Sequence, residues 1–325
     1  MSQPAMQSAA ASPEPPSPRA ALRRESVALI ANPESGGNAK DEASIVRAME
    51  ALGEGATLYR WSPEADIVAT VHKALDDGAE MIVAAGGDGT AMAVAGALLG
   101  RDVPMAVLPL GTFNFFARGL RLSEDPVEAA RAIREGEAHP IRVGRVNGQV
   151  FLNNASLGIY PEILEAREDI YARWGRRRIV AHWSVVKTFL RFQRPMRLRL
   201  TADGKTSQHR TPLIFVARSA YQLDFFGLDG AKVIGEDAFA VLVAKGRTRS
   251  DLFRLAWRLV RRRAREGRDY DLVRAHDLEL DTGRTRALLA FDGEKRREAS
   301  PFHFAMSDAP LWIVKPADAA QGTPA

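Results

Sequence analysis

The residues best equipped for chemistry lie at 84–90, Ala-Ala-Gly-Gly-Asp-Gly-Thr, where a carboxylate and a hydroxyl sit among glycines. Glycine lets backbone N–H groups approach a ligand closely, and a helix N-terminus adds partial positive charge, so such a loop can cradle phosphate. Asp88 breaks the pattern: a carboxylate beside an anionic phosphate is repelled unless a divalent cation lies between them. Nucleotide plus magnesium accommodates both features. A tight strand-to-helix turn capped by Asp88 fits the local sequence equally well. Two more loops of the same kind favour the phosphate reading, 32–38 (Asn-Pro-Glu-Ser-Gly-Gly-Asn) and 109–114 (Pro-Leu-Gly-Thr-Phe-Asn). Neither a Walker A sequence nor a G-x-G-x-x-G fingerprint with a downstream acid is present, which disfavours P-loop and dinucleotide assignments.

The elements that must carry these loops follow from the apolar pattern. Short apolar runs at 27–31, 57–60, 81–85 and 105–108 read as strands, with helical spacing at 43–52, 63–75 and 90–99. Alternating strand and helix predicts a parallel sheet, and ligands bind at the C-terminal strand edge of such sheets. Three Gly/Ser/Thr/Asn loops at one edge make a composite pocket. Beyond a helix at 126–135 the pattern changes. Residues 141–146 and 150–157 flank Asn147-Gly148, a strong hairpin signal. Further strands are expected at 196–201, 213–216, 239–244, 277–280, 287–291 and 302–306, several alternating apolar with polar, as in an antiparallel sandwich with one wet face. The domain boundary falls near Pro140.

The 325 residues are 46% hydrophobic and 26% charged, the composition of a soluble globular protein of about two domains. The absence of cysteine excludes disulfides and thiol chemistry. Residues 1–22 are rich in Ala, Ser and Pro and read as a disordered leader. The net charge of +5 is mostly arginine and unevenly placed. Residues 161–193 form one basic helical stretch and 250–267 another, the latter with Arg254, Arg258, Arg261, Arg262, Arg263 and Arg265 around an apolar face. Such a helix either rests on an anionic membrane surface or docks on its own sheet with the arginines in solvent. Nucleic acid is the less favoured anion, since no interleaved aromatic platform accompanies the charge.

Asn32-Pro33 with Ser35-Gly36-Gly37, then Gly86-Gly87-Asp88-Gly89-Thr90, then Pro109-Leu110-Gly111-Thr112 with Asn114, Ala117 and Arg118, together resemble the diacylglycerol-kinase catalytic family of bacterial lipid kinases and sphingosine kinases. The resemblance implies an ATP- and magnesium-dependent lipid kinase. It implies a Rossmann-like three-layer α/β domain like that of NAD kinase and phosphofructokinase at 25–139, rejoined by 308–316, and a β-sandwich lipid domain at 140–307. The remaining segments, 1–24 and 317–325, are expected to be disordered. Carried over by motif, Asn32, Ser35, Gly36, Gly87, Asp88, Gly89, Thr90, Gly111, Thr112 and Asn114 would line the nucleotide site, with Asp88 at the metal. The dipeptide Asp292-Gly293 reads on its own as one more turn, like Asp77-Gly78, Asp203-Gly204 and Asp229-Gly230. By resemblance Asp292 is the general base and Glu294 assists. A second, structural magnesium would fall near Glu236, where this chain departs from the family's Asp-Asp-Gly segment. The loop 221–230, with Phe225, Phe226 and Leu228, either faces acyl chains or plugs the core. The implied location is cytoplasmic, peripheral at the inner membrane face, with a homodimer left open. Alternatives are a kinase of a soluble acceptor, akin to NAD kinase, and a nucleotide-binding regulator without turnover.

Overall fold

In the computed structural model, residues 26–31, 39–62, 64–159, 161 and 195–317 are described. The expected leader, the basic helix from 162 onward and the tail from 318 lie outside them, as do Asn32, Ser35 and Gly36.

The first half alternates as its pattern requires: β1 (Val27–Ala31), α1 (Ala39–Leu52), β2 (Ala56–Arg60), α2 (Ile67–Asp76), β3 (Met81–Gly86), α3 (Asp88–Leu98), β4 (Met105–Pro109), α4 (Phe115–Gly119), α5 (Pro126–Glu135) and β5 (Glu137–Ile141). Strands β1, β3 and β4 are buried along their whole length, as continuous apolar runs between helical layers must be. Helix α3 is built from small residues and is buried nearly all round, which brings it close to the sheet. Local chemistry sets the helix starts. Asp66 accepts from the Val68 N–H ahead of α2, and Asp125 accepts from Val127 and Glu128 with Pro126 in the first turn of α5. A late strand, β18 (Leu311–Lys315), returns to pair parallel with β4 and antiparallel with β5, giving the order β2-β1-β3-β4-β18-β5.

The second half is antiparallel. One sheet orders β10 (Lys205–Thr211), β9 (Met196–Ala202), β14 (Leu278–Asp281), β17 (Phe302–Met306), β6 (Gly144–Val146) and β7 (Gln149–Phe151). The other orders β13 (Tyr270–Ala275), β12 (Phe239–Ala244), β11 (Leu213–Ala217), β8 (Asn154–Gly158), β15 (Arg286–Phe291) and β16 (Glu294–Ala299). Phe151, Phe239 and Phe304 meet between the sheets with ring centroids 5.9–6.4 Å apart. The second sheet's outer face is covered by α6 (Ala220–Phe226), α7 (Ala231–Gly235) and part of α8 (Arg249–Val260), through Leu223, Ile234 and Leu259 against Ala240, Leu242 and Tyr270.

Four departures from the sequence reading have physical causes. The expected strand 150–157 breaks at Leu152 and Asn153, where the chain crosses from one sheet to the other. Ile141 belongs to the first sheet rather than to the hairpin. The presumed loop 221–230 contains a helix, started by the Ser219 hydroxyl accepting from the Gln222 N–H and ended by Gly227 at positive φ. Strands β10, β13 and β16 escaped notice because they are sheet edges. Lys-Thr-Ser-Gln-His-Arg-Thr and Glu-Lys-Arg-Arg-Glu-Ala lack the alternating apolar pattern, since one neighbouring strand's backbone pairs with them, and their charge discourages further pairing.

Candidate active site

Two of the three predicted phosphate loops are described, and they touch. A Cβ placed on Gly111 would lie 2.5 Å from the Gly87 Cα, so the β3–α3 and β4–α4 loops pass backbone against backbone at two glycines. Asn114 holds the second loop in shape. Its Oδ1 accepts from the Gly111 N–H at 2.9 Å and its Nδ2 donates to the Gly111 carbonyl at 2.9 Å, while its own backbone sits at φ 50°. The Asn114 amide is thus occupied by its own loop, and Thr112 is exposed beside it. Gly87 precedes α3 with no side chain capping the helix, which leaves the first-turn N–H groups around Gly89 and Thr90 open to an anion. Thr90 itself is buried against Gly86.

Asp88 does not cap its own helix. Its carboxylate accepts from the Phe115 N–H at 3.1 Å and the Phe116 N–H at 2.9 Å, the two amides that open α4. It also accepts from Asn153 Nδ2 at 3.1 Å, and Asn153 lies at the break between β7 and β8 in the other half of the chain. The same break holds Asp292. Asp292 is 6% exposed, and its carboxylate accepts the backbone N–H of Leu152 at 2.5 Å, Asn153 at 2.8 Å and Asn154 at 3.1 Å. Asp292 also donates its N–H to the Asn154 carbonyl at 3.0 Å. Asp292 and Gly293 take positive φ, 47° and 90°, as the two-residue turn between β15 and β16 demands.

Burial, with a smaller contribution from the nearby Asp88 charge, pushes the Asp292 carboxyl up to about 7 against the pull of its three N–H donors. A carboxyl poised near neutrality can take a proton and release it. Glu294 reaches back to the first half: its Oε1 would be 3.0 Å from a Cβ on Gly89. Asp88, Gly89, Asp292 and Glu294 therefore converge. Glu236 is held elsewhere, its carboxylate 3.1 Å from Arg274 Nε on β13. Among the described residues no group of three or more His, Asp or Glu side chains stands ready to hold a metal by itself.

Asn153 lies within a run read only as strand, with no motif to single it out. It donates its N–H to Asp292 and its side chain to Asp88, and its carbonyl accepts from the N–H groups of Arg218 and Ser219 ahead of α6. Asn153 Oδ1, Asn154 Oδ1 and Ser156 Oγ are buried with no hydrogen-bond partner among the described residues. Three such atoms on one strand end are spare bonding capacity beside Asp292. An aromatic seam flanks the cluster. Phe115 stacks on Phe113 at 5.5 Å and meets Phe225 and Phe226 of α6 at 5.4 and 5.9 Å, and Arg118 lies over Tyr221 and Phe225. Phe113 and Phe225 are exposed at its rim, whereas Leu228 is partly buried against the cluster under the second sheet's outer face.

Residues 26–146 match the model of the diacylglycerol kinase catalytic domain. A "Probable lipid kinase YegS-like" of Pseudomonas aeruginosa is 39% identical over 139 residues, 42% of this chain and 45% of that protein. The match therefore spans less than half the length of that curated relative. A diacylglycerol kinase of Bacillus subtilis is 28% identical over 234 residues, 70% of this chain and 76% of its own. A crystal structure of a diacylglycerol kinase from Bacillus anthracis superposes with a TM-score of 0.65 at 18% identity, covering 92% of this chain and 99% of the other. That likeness extends the shared fold across both halves.

Proposed function

We propose that this chain, whose residues 26–146 match the diacylglycerol kinase catalytic domain, is an ATP-dependent lipid kinase of that family acting on diacylglycerol or a related neutral lipid. The observation that carries the reading is Asn153, which ties Asp88 on the glycine-loop side to Asp292 on the sandwich side. In this reading the open amides of α3 hold the phosphates. Asp292 takes the proton of the lipid hydroxyl as its oxygen bonds to the γ-phosphorus, the bridging P–O bond breaks, and ADP leaves with the electron pair. Phosphoryl transfer needs little more than placement, charge neutralisation and such a base.

Magnesium accompanying the nucleotide would be held by Asp88, with Glu294 beside it, and would neutralise phosphate charge. A magnesium ion keeps much of its shell as water and phosphate oxygen, so one or two carboxylates suffice. Glu236, paired with Arg274, stays outside this set. The unpartnered atoms of Asn153, Asn154 and Ser156 would meet the polar end of the acceptor, and Phe113 and Phe225 its apolar part. No described helix is long and apolar enough to cross a membrane. A lipid acceptor would bring the enzyme to the bilayer surface to meet it. Transfer of labelled phosphate from ATP across a panel of neutral lipids and soluble alcohols tests the proposal. Label in a chloroform-extractable product supports it, and label only in a soluble acceptor would overturn it.

A further inference from the structure

The end of α8 carries a second concentration of charge that the site above does not use. A concave pocket of about 560 Å³ is lined by Trp257, Arg258, Arg261, Arg263, Arg265 and Arg268. No acid lines it; the acid that its arginines contact, Asp269, is buried and already committed. Burial opposes ionisation of Asp269, yet bonds from Arg268 at 2.7 Å, the Arg265 N–H at 3.0 Å and Arg258 hold its carboxyl below the usual range. Arg258 and Arg268 are therefore neutralised, and they brace the pocket wall.

Arg261, Arg263 and Arg265 pair with no carboxylate among the described residues. Arg261 lies 4.0 Å above the Trp257 ring, which orients it without cancelling its charge. Arg262, in the middle of this run, points away and donates to the Asp224 carbonyl at 2.5 Å. Beside the pocket, Trp257 is 59% exposed and Val260 is 81% exposed, one helical turn apart on the same face. A polar anion alone gives no reason to expose those apolar side chains. An anion carried on an acyl tail gives one.

We propose that this pocket is a second lipid site, which takes the phosphomonoester headgroup of an anionic lipid while Trp257 and Val260 enter the acyl layer. Three surplus guanidiniums around one concavity suit a headgroup with three free oxygens and close to two negative charges. A phosphodiester headgroup offers one charge and a substituent that blocks enclosure. The proposal rests on the lipid-kinase reading, because the product of that reaction belongs to this headgroup class. Product accumulating in the bilayer then retains the enzyme at the surface where it works.

The test is sedimentation of the full chain, without ATP, with three kinds of vesicle: phosphatidylcholine alone, with phosphatidic acid, and with phosphatidylglycerol at doubled content to match charge. Phosphatidic acid should pellet the protein at least about fivefold better than charge-matched phosphatidylglycerol. The triple variant Arg261→Gln/Arg263→Gln/Arg265→Gln should lose that difference while phosphorylating detergent-dispersed lipid at the wild-type rate. Equal pelleting by the two anionic vesicles would reduce the pocket to general surface charge and overturn the proposal. So would wild-type pelleting by the triple variant, or occupation by millimolar inorganic phosphate without vesicle recruitment. Failure of phosphoryl transfer in detergent would instead count against the kinase reading, independently of the pelleting result.

Discussion

Replacing Asp292 by Asn probes the site most directly, because catalysis and stability should move in opposite directions. The carboxyl rises from 3.8 to about 7 in the fold, about three units, and each unit corresponds to about 1.4 kcal/mol. Keeping Asp292 ionised inside the fold therefore costs on the order of 4 kcal/mol. The folded value lies above the unfolded one, so this group's contribution to stability is fully present below about pH 4. It is lost as pH rises through about 7. Asparagine carries no such penalty. Its oxygen can take the Asn153 and Asn154 N–H groups, and its amide nitrogen then faces the Leu152 N–H, a mismatch costing about 1–3 kcal/mol.

Urea unfolding of both proteins from pH 5 to pH 8 isolates the effect, since other groups titrate alike in each. The variant should gain about 2–4 kcal/mol relative to the wild type across that range. Its turnover should fall about 10²–10⁴-fold, the usual worth of a general base, with ATP affinity within threefold of wild type. Wild-type kcat should rise with pH to a plateau above about 7. A stability difference that stays flat with pH would refute the account of the Asp292 environment, and undiminished turnover would refute its role.

Three further substitutions read the cluster around it. Gly89→Ala should keep or slightly raise thermal stability, since alanine is the better helix former, while displacing the Glu294 carboxylate and lowering kcat about tenfold. An unchanged kcat would remove Glu294 from the mechanism. Gly111→Ala meets backbone rather than a flexible tip, so it should cost about 1–3 kcal/mol in denaturant unfolding and weaken ATP binding at least tenfold by titration calorimetry. Wild-type ATP affinity there would mean that the Gly87–Gly111 contact does not shape the pocket. Asn153→Ala keeps the backbone N–H to Asp292 but loses the tie to Asp88, and should lower kcat 10–100-fold with ATP affinity intact. Loss of stability alone, with normal kcat, would make Asn153 a structural residue only.

Much of the first half was legible because its signals are local. A buried strand, a glycine turn and a helix start each depend on a few adjacent residues, and three such units in series specify one sheet edge. Asp292 was legible only through resemblance. Four Asp-Gly pairs read alike in the sequence, and at two others the structure gives the aspartate a different task. Asp77 accepts from Lys73 and Tyr59, and Asp203 accepts the N–H groups of His276 and Asp277. What separates Asp292 is a partner about 140 residues away in the chain, where a strand breaks. The edge strands were illegible for the opposite reason: their pairing uses backbone and leaves the side chains free to be charged.

The strand break also explains why the site sits where it does. An unbroken strand through residues 150–157 would direct the Leu152, Asn153 and Asn154 N–H groups alternately to its two sides and commit them to ladders. Crossing between sheets at Leu152 and Asn153 releases them, and they turn together onto one carboxylate. That convergence fixes Asp292 without a positively charged partner, which is why burial can raise its affinity for a proton instead of an ion pair lowering it. An arginine in place of those three amides would hold the carboxylate as firmly and leave it a poor base at neutral pH. The same crossing turns the Asn153 side chain toward Asp88. One irregularity of the sandwich thus tunes the base and ties it to the phosphate-binding edge, and a substitution that let β7 run on into β8 would be expected to abolish both effects at once.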